Sequence, residues 1–163
     1  MKAVVQRARS ASVSSVPPGA DPASPIVRSI GRGLMILVGF EEGDTQADRA
    51  WMAAKLVGLR IFEDDAGKMN RAVGELGDGG ILLVPNFTLA GDVRKGKRPS
   101  FDHAMKPELA APEFERLVSD MRALAGAPVR VERGEFRATM LVTIENDGPV
   151  TLIVDSRAAT PAP

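Results

Sequence analysis

Residues 34–40 read LMILVGF, and this unbroken apolar run decides the kind of sheet that the chain builds. A strand with one face in water alternates apolar and polar residues, whereas a strand buried on both faces is apolar throughout. Residues 81–84, with the sequence ILLV, repeat the second pattern. We therefore predict two central strands that are covered on both faces.

Two amphipathic helices are predicted beside these strands. Asp44 or Thr45 caps the first helix, and apolar residues continue at helical spacing as far as Ile61. The second helix has Pro112 in its first turn, where proline is tolerated, and it ends at Gly126. Two helices are too few to cover both faces of a large sheet, so further strands or a second subunit must cover one face.

Shorter strands are predicted near both chain ends. Residues 2–7 and 9–16 are predicted as a pair of strands, and residues 17–25 as a loop, because their four prolines cannot join a ladder. Towards the C-terminus, residues 136–144 and 150–154 are predicted as the two strands of a hairpin. Together these patterns indicate about seven to nine strands and two helices in a single domain.

The predicted hairpin has an unusual turn. It contains Asn146, Asp147, Gly148 and Pro149 in succession, and Thr151 follows. Glycine adopts conformations closed to other residues, and proline fixes φ, lacks an N–H and readily tolerates a cis bond before it. From the residues alone, an ordinary tight turn is the simpler interpretation. The alternative is a turn that holds backbone carbonyls in a fixed and unusual direction.

The composition excludes several kinds of site. The 163 residues include no cysteine and a single histidine, His103, so a thiolate nucleophile and a histidine-rich metal site are excluded. Basic and acidic residues both number 21, so a nucleic-acid surface must be a local patch. The first residues lack the apolar core of a signal peptide, and no apolar run approaches the length of a membrane span. We expect a soluble cytoplasmic protein with no metal and no other cofactor.

Two polar segments are candidate binding sites. Residues 85–88, PNFT, follow the second buried strand at its end, where open α/β sheets tend to hold ligands. Residues 94–98, RKGKR, place four positive charges in five positions, which is typical of a surface that binds phosphates. A plain strand exit and a solvated loop are the respective alternatives.

Several motifs in a consistent order make almost the whole chain resemble the D-aminoacyl-tRNA deacylase family, also called the D-Tyr-tRNA(Tyr) deacylase family. Residues 4–7 resemble the opening strand of the family, and residues 60–62 and 67–70 resemble its RIF…GKMN segment. The other matches are residues 86–89 with its Ser-Gln-x-Thr-Leu motif, residues 98–101 with RPSF, and residues 146–151 with Asn-x-Gly-Pro-x-Thr.

The resemblance implies a fold and an activity. The fold is a three-layer α/β/β single domain with mixed sheets and two main helices, and it acts as an obligate homodimer. Residues 1–156 form this domain, and residues 157–163 form a flexible tail. The implied reaction is hydrolysis of the ester bond of D-aminoacyl-tRNA, and of glycyl-tRNA mischarged on tRNA(Ala), which releases the amino acid and tRNA.

The resemblance also implies roles for particular residues. A cis Gly148-Pro149 unit of one subunit enters the pocket of the other and excludes L-amino acids, and Arg7 holds its orientation. The expected catalytic residues are Asn86, Phe87 and Thr88. The expected substrate-binding residues are Arg7, Pro85, Asn146, Gly148, Pro149 and Thr151. The expected contacts with tRNA are Arg94, Lys95, Lys97 and Arg98.

The chemistry of the motif leaves the mechanism open. Pro85 stands where the family has serine, and Asn86 stands where it has glutamine. Thr88 has no histidine, lysine or terminal amine beside it in the sequence, and an unactivated hydroxyl is a poor nucleophile. We favour a reaction assisted by the substrate's own 2′-hydroxyl, with backbone N–H groups near Phe87 and Thr88 stabilising the oxyanion. The alternatives are a catalytically impaired RNA-binding relative and a Thr-dependent hydrolase of small esters.

Overall fold

A computed structural model describes residues 1–159, which form eight strands and two α-helices, as the patterns predicted. The strands are β1 (Lys2–Val16), β2 (Ile26–Ile30), β3 (Gly33–Gly39), β4 (Phe62–Glu63), β5 (Met69–Arg71), β6 (Gly80–Pro85), β7 (Arg130–Arg133) and β8 (Thr139–Asp155). The helices are α1 (Gln46–Gly58) and α2 (Pro107–Ala125), and short 3-10 turns cover Val73–Glu75, Phe87–Ala90 and Arg157–Ala159. No helix within residues 1–159 is both long enough and apolar enough to span a membrane.

Six of the strands form one mixed sheet. Its order is β2-β1-β3-β6-β7, and β8 pairs with β1. β1 runs antiparallel to β2, β3 and β8, whereas β3, β6 and β7 are parallel to one another. The sheet curls until it is nearly a barrel, and Arg28 of β2 forms ion pairs with Glu132 of β7 and with Glu135.

The central strands β3 and β6 are buried on both faces, which confirms the prediction from their apolar runs. Leu34 and Ile36 pack with residues of α1 and α2 in the larger core. Met35, which points to the other face, packs in a second core with Val13 and Ile30. Alternate residues of a strand point to opposite faces, so each central strand contributes to both cores.

The N-terminal prediction of two paired strands is wrong. Residues 2–16 form the single strand β1, which pairs with β3 through Lys2–Ala8 and with β2 through Ala11–Ser15. β1 changes its partner from β3 to β2 between Ala8 and Ala11, and its register against β8 is irregular around Ala8. A turn is unnecessary because β8 supplies a partner along almost the whole length of β1. The loop predicted for residues 17–25 is confirmed.

The predicted C-terminal hairpin is also wrong. Thr139–Asp155 is one strand whose two halves both pair with β1 and never with each other. Between the pairs Ala8–Asn146 and Gln6–Thr151, the single residue Arg7 stands opposite residues 147–150. These residues therefore form a large bulge. Glycine and proline favour bulges as well as turns, so the local sequence did not distinguish the two.

The helix ends differ in part from the prediction. Thr45 caps α1 and Gly126 caps α2, as predicted, but α1 ends at Gly58. Ile61 is therefore buried in the segment after the helix and is not part of its apolar stripe. α2 begins at Pro107, so Pro112 lies inside the helix and not in its first turn. A proline at the first position was the better start signal, because its missing N–H costs no helical hydrogen bond there.

The predicted C-terminal tail begins with an ordered residue. Arg157 Nη2 donates a hydrogen bond to the carbonyl of Glu42, and it lies 3.4 Å from Asp44 Oδ1. Residues 160–163 of the predicted tail lie outside the described residues. The domain boundary at residue 156 stays a prediction.

Candidate active site

The segment after β6 is a short, tightly bonded turn. The Asn86 N–H donates to the carbonyl of Val38 at 2.7 Å, which extends the sheet by one bond beyond Pro85. The Oδ1 atom of Asn86 accepts hydrogen bonds from the Thr88 N–H at 3.1 Å and from the Thr88 hydroxyl. Asn86 therefore caps the 3-10 turn that carries Phe87 and Thr88.

Gly39, which the sequence did not single out, determines how closely this turn approaches the sheet. A Cβ atom at Gly39 would lie 2.7 Å from the Asn86 carbonyl oxygen and 3.0 Å from Leu89 Cβ. Both distances are shorter than ordinary van der Waals contact, so any larger residue would push the turn outward. The available signal was the single glycine within the apolar run of residues 34–40.

A cavity of about 830 Å³ opens beside the turn. Pro85, Asn86 and Phe87 form part of its lining. Much of its apolar wall comes from β3 and β8, through Met35, Leu37, Met140, Val142 and Ile144. A large apolar cavity with few polar groups is typical of a ligand-binding site. The contribution of β8 was missed because it depends on the curl of the sheet.

Phe87 lies at the rim of this cavity. Its side chain is 59% exposed, and its ring contacts Phe101 edge-on at a centroid distance of 5.2 Å. Gly91 makes room for this pair, since a Cβ atom there would lie 3.0 Å from the Phe101 ring. The exposed aromatic pair offers a flat apolar surface next to the cavity.

The second group of candidate residues surrounds the bulge in β8. Arg7 is nearly fully buried, and its Nε donates to the carbonyl of Asp147 at 3.1 Å. Its Nη1 donates to the carbonyl of Ile61 at 2.8 Å. The peptide bond between Gly148 and Pro149 is cis. One guanidinium thus ties the bulge to the segment that follows α1.

The bulge is fixed by further contacts. Asn146 Nδ2 donates to the carbonyls of Arg7 and Val150, both at 3.3 Å. Gly148 has a φ of 123°, and a Cβ atom there would lie 3.0 Å from Arg7 Nη2 and 2.8 Å from Val150 Cγ2. Only glycine therefore fits at position 148 without a shift of these neighbouring atoms. The Thr151 hydroxyl accepts a hydrogen bond from the Gln6 side chain at 3.3 Å.

The structure does not bring the two groups into one cavity within a single chain. Pro85, Asn86 and Phe87 line the cavity, whereas none of residues 146–151 does. Gly148 and Pro149 are instead exposed to solvent on the bulge. Thr88 belongs to the turn beside the cavity but is not part of the lining.

The basic segment is less uniform than its sequence. Arg94 forms an ion pair with Asp92, with a distance of 2.6 Å between Nη2 and Oδ2. The hydrogen bonds from Arg94 hold the pKa of Asp92 well below its usual range. Lys95, Lys97 and Arg98 form no ion pair within residues 1–159 and are exposed. Three of the four residues expected to contact tRNA thus make no ion pair within residues 1–159, whereas Arg94 pairs with Asp92.

Acidic residues do not form a metal site in the part of the chain that the structure describes. Within residues 1–159, no three His, Asp or Glu side chains form a group that could hold a metal ion. Asp64 Oδ1 instead accepts hydrogen bonds from the backbone N–H groups of Ala66 and Lys68. This carboxylate therefore stabilises a turn.

The sequence was compared with known protein families and proteins. A family profile described as D-Tyr-tRNA(Tyr) deacylase matches residues 4–155. The chain belongs to this family. A D-aminoacyl-tRNA deacylase of Desulfitobacterium hafniense is 50% identical over 156 residues, which cover 96% of this chain and 97% of the relative. The resemblance to this family is confirmed, and with it the enzyme class, a hydrolase that acts on ester bonds.

Solved structures agree with the fold. One described as "c-Myc DNA Unwinding Element Binding Protein" has a TM-score of 0.83 and 38% sequence identity, and the match covers 99% of this chain and all of the other. Another, described as a probable eukaryotic D-amino acid tRNA deacylase, has a TM-score of 0.74 and 18% identity over 94% of this chain and 97% of the other. At that identity the second likeness concerns the fold alone.

Proposed function

We propose that this chain hydrolyses the ester bond between a D-amino acid and the 3′-terminal ribose of tRNA. The observation that carries the proposal is the family match over residues 4–155, which includes both the turn at residues 86–89 and the motif at residues 146–151. Glycyl-tRNA mischarged on tRNA(Ala) is the second proposed substrate, because glycine has no side chain that a chirality filter could exclude. We therefore propose that the protein acts in the cytoplasm.

The backbone of the turn supports a specific oxyanion donor. Pro85 has no N–H, the Asn86 N–H is bonded to Val38, and the Thr88 N–H is bonded to the Asn86 side chain. The Phe87 N–H makes no hydrogen bond with another group of residues 1–159. Since Phe87 lines the cavity, we propose that its N–H alone stabilises the developing oxyanion. The sequence suggested Thr88 as well, but that N–H is already used.

We propose that Thr88 helps to hold the turn beside the cavity and that it is not the nucleophile. Its hydroxyl donates to the Asn86 amide oxygen, which is too weak a base to take a proton at neutral pH. In the proposed reaction a water oxygen bonds to the ester carbonyl carbon, and the bond from that carbon to the ribose 3′ oxygen breaks. The neighbouring 2′-hydroxyl relays a proton from the water to the departing 3′ oxygen, so no protein acid or base is needed.

A homodimer would complete the site. The cavity lacks residues 146–151 of its own chain, and the exposed bulge lacks a cavity of its own. We propose that each protomer has the three-layer α/β/β fold that the resemblance implies, and that Gly148 and Pro149 of one protomer enter the cavity of its partner. Their backbone would occupy the space that an L side chain needs, whereas a D side chain points elsewhere. The bonds from Arg7 to Asp147 and Ile61 would keep this filter rigid.

The basic segment would contact the RNA. Lys95, Lys97 and Arg98 are exposed and unpaired among residues 1–159, so they are available to phosphates without breaking an ion pair. The name of the solved structure at 38% identity, a DNA-element-binding protein, favours a second candidate function. In that alternative the chain binds nucleic acid without catalysis. A third candidate, a Thr-dependent hydrolase of small esters, would need neither the basic segment nor RNA.

Deacylation assays with purified protein separate these candidates. We expect cleavage of D-Tyr-tRNA and negligible cleavage of L-Tyr-tRNA, both followed by release of labelled tyrosine. Binding of D-Tyr-tRNA without cleavage would establish the binding protein instead. Neutralising Lys95, Lys97 and Arg98 should raise the KM for D-Tyr-tRNA, whereas unchanged cleavage of tRNA and of small esters would favour the third candidate. Arg130→Gln, an exposed charge change on β7, serves as the control.

A further inference from the structure

Arg137 has an unusual backbone conformation at the edge of the cavity. Its φ is 63°, and it is the one non-glycine residue with a positive φ among residues 1–159. This left-handed region is disfavoured for residues with a Cβ atom, and arginine has no short polar side chain to compensate. Residues in such conformations occur more often than expected at functional sites, so the position calls for an explanation.

Arg137 is also the one charged residue in the lining of the cavity. Its other lining residues are apolar or glycine, except for Asn86. The ion-pair partner of Arg137 is Glu108 in the first turn of α2, at 3.4 Å between Nη2 and Oε1. Both side chains are mostly exposed, at 61% and 70%, so water screens this pair and it contributes little. The guanidinium can therefore exchange Glu108 for another anion.

We propose that Arg137 binds a phosphate of the 3′-terminal nucleotides while the aminoacyl ester occupies the cavity. The inference rests on the proposed function. The carboxyl group of the amino acid is esterified and uncharged, and its α-ammonium would be repelled by a guanidinium. The phosphodiester groups are thus the anions that this substrate offers, and arginine binds them through charge-assisted, bidentate hydrogen bonds.

Arg137→Gly removes the guanidinium and suits the backbone, because glycine adopts a positive φ without strain. Arg137→Gln removes the charge but keeps a side chain, and Arg137→Lys keeps the charge without the planar fork. Arg130→Gln is the matched control, because Arg130 is an exposed arginine that pairs with Glu132 on β7 and does not line the cavity. Thermal unfolding of each variant checks that the fold is retained.

Two measurements test the proposal. The first is the affinity for an RNA hairpin that carries no amino acid and ends in the single-stranded 3′ sequence of tRNA. We expect about tenfold weaker binding for the glycine and glutamine variants and a smaller loss for the lysine variant. For the glycine and glutamine variants, the slope of log affinity against log salt concentration should become smaller by about one. The second is the KM for D-tyrosyl-tRNA and for D-tyrosyl-adenosine, which has no phosphate. The KM should rise for the first ester only, with kcat nearly unchanged.

Each outcome decides the question. Unchanged hairpin binding by the Arg137 variants, or an equal loss with Arg130→Gln, overturns the role of Arg137. An equal rise in KM for the phosphate-free ester also overturns it, since the effect would not involve a phosphate. If the wild-type protein binds the hairpin through Arg137 but cleaves no D-ester, the proposed function fails and the phosphate contact stands. If the wild-type protein cleaves D-tyrosyl-tRNA but does not bind the hairpin, and the Arg137 variants keep the wild-type KM, the phosphate contact fails and the proposed function stands.

Discussion

At the scale of single residues, Asn86 has the most informative contacts. Its side chain is one methylene shorter than glutamine, and it uses that short reach to bond the N–H and the hydroxyl of Thr88 within the same turn. Asparagine is one of the preferred caps for this reason. Asn86 therefore caps the turn that carries Phe87, and we propose that it positions Phe87 for the reaction. The hydroxyl of Thr88 is bonded to an amide oxygen, which is too weak a base to activate it.

The first prediction concerns Thr88. Thr88→Ala removes the hydroxyl but leaves the backbone N–H on the Asn86 side chain, so we expect activity on D-Tyr-tRNA within about tenfold of wild type. Asn86→Ala removes the cap that positions Phe87, and we expect a larger fall in kcat, since small misplacements are costly. Single-turnover deacylation measures both. Complete inactivity of a folded, tRNA-binding Thr88→Ala variant would make Thr88 the nucleophile after all.

The second prediction concerns Gly39. Gly39→Ala places a Cβ atom 2.7 Å from the Asn86 carbonyl oxygen, and we expect a loss of about 1–3 kcal/mol in the free energy of unfolding. The turn would move, so kcat on D-Tyr-tRNA should fall as well. Gly58→Ala is the control, because its Cβ atom has no neighbour within 4 Å at the end of α1. That variant should keep full activity, and equal effects of the two would contradict the steric role of Gly39.

At the scale of elements, local capping explains where the helices begin and end. Thr45 and Asp48 form a reciprocal capping box at the start of α1, in which each side chain bonds the backbone of the other. The hydrogen bond from the Thr45 hydroxyl lowers the pKa of Asp48 to about 2. A lowered carboxyl pKa means that the charged form is favoured by folding.

The third prediction follows from this box. Thr45→Ala should lower the free energy of unfolding by about 1 kcal/mol near neutral pH, measured by urea titration. Asp48 contributes stability above its unfolded pKa of 3.8, and this contribution is lost as the pH falls towards its folded pKa of about 2. The difference in the free energy of unfolding between Thr45→Ala and the wild type should therefore shrink as the pH falls from 3.8 to about 2. A difference that stays constant would show that Asp48 takes no part.

At the scale of the whole molecule, the candidate site is divided between two places. The cavity lies between β3, β6, β8 and the start of α2, whereas the bulge of β8 presents Gly148 and Pro149 to solvent. Two copies related by symmetry can supply each other with the missing part, which is the usual arrangement of an isologous dimer. Both places involve β8, because residues 140, 142 and 144 line the cavity and residues 147–150 form the bulge.

The fourth prediction is that activity requires a dimer. Light scattering should give a mass twice the 17.3 kDa of one chain, and the activity per chain should fall on dilution when the dimer dissociates. Gly148→Ala should leave the fold largely intact but displace the filter, because its Cβ atom would contact Arg7 and Val150. We expect that variant to lose discrimination between D- and L-Tyr-tRNA. A monomer with full D-selective activity would refute the shared site.

Much of the architecture is visible in local sequence. The apolar runs of β3 and β6 identified strands buried on both faces, and Thr45 and Gly126 marked helix ends. These features depend on residues within a few positions of each other, so rules of periodicity and capping predict them. The motifs at residues 86–89 and 146–151 likewise identified the family.

Tertiary structure decided the features that depend on distant pairing. The motif around Gly148 is a bulge and not a hairpin turn, because β1 is long enough to pair with both halves of β8. The cavity wall and the position of Arg137 depend on the curl of that sheet. Such features arise from register between strands more than a hundred residues apart, and no local pattern encodes which partner a strand takes.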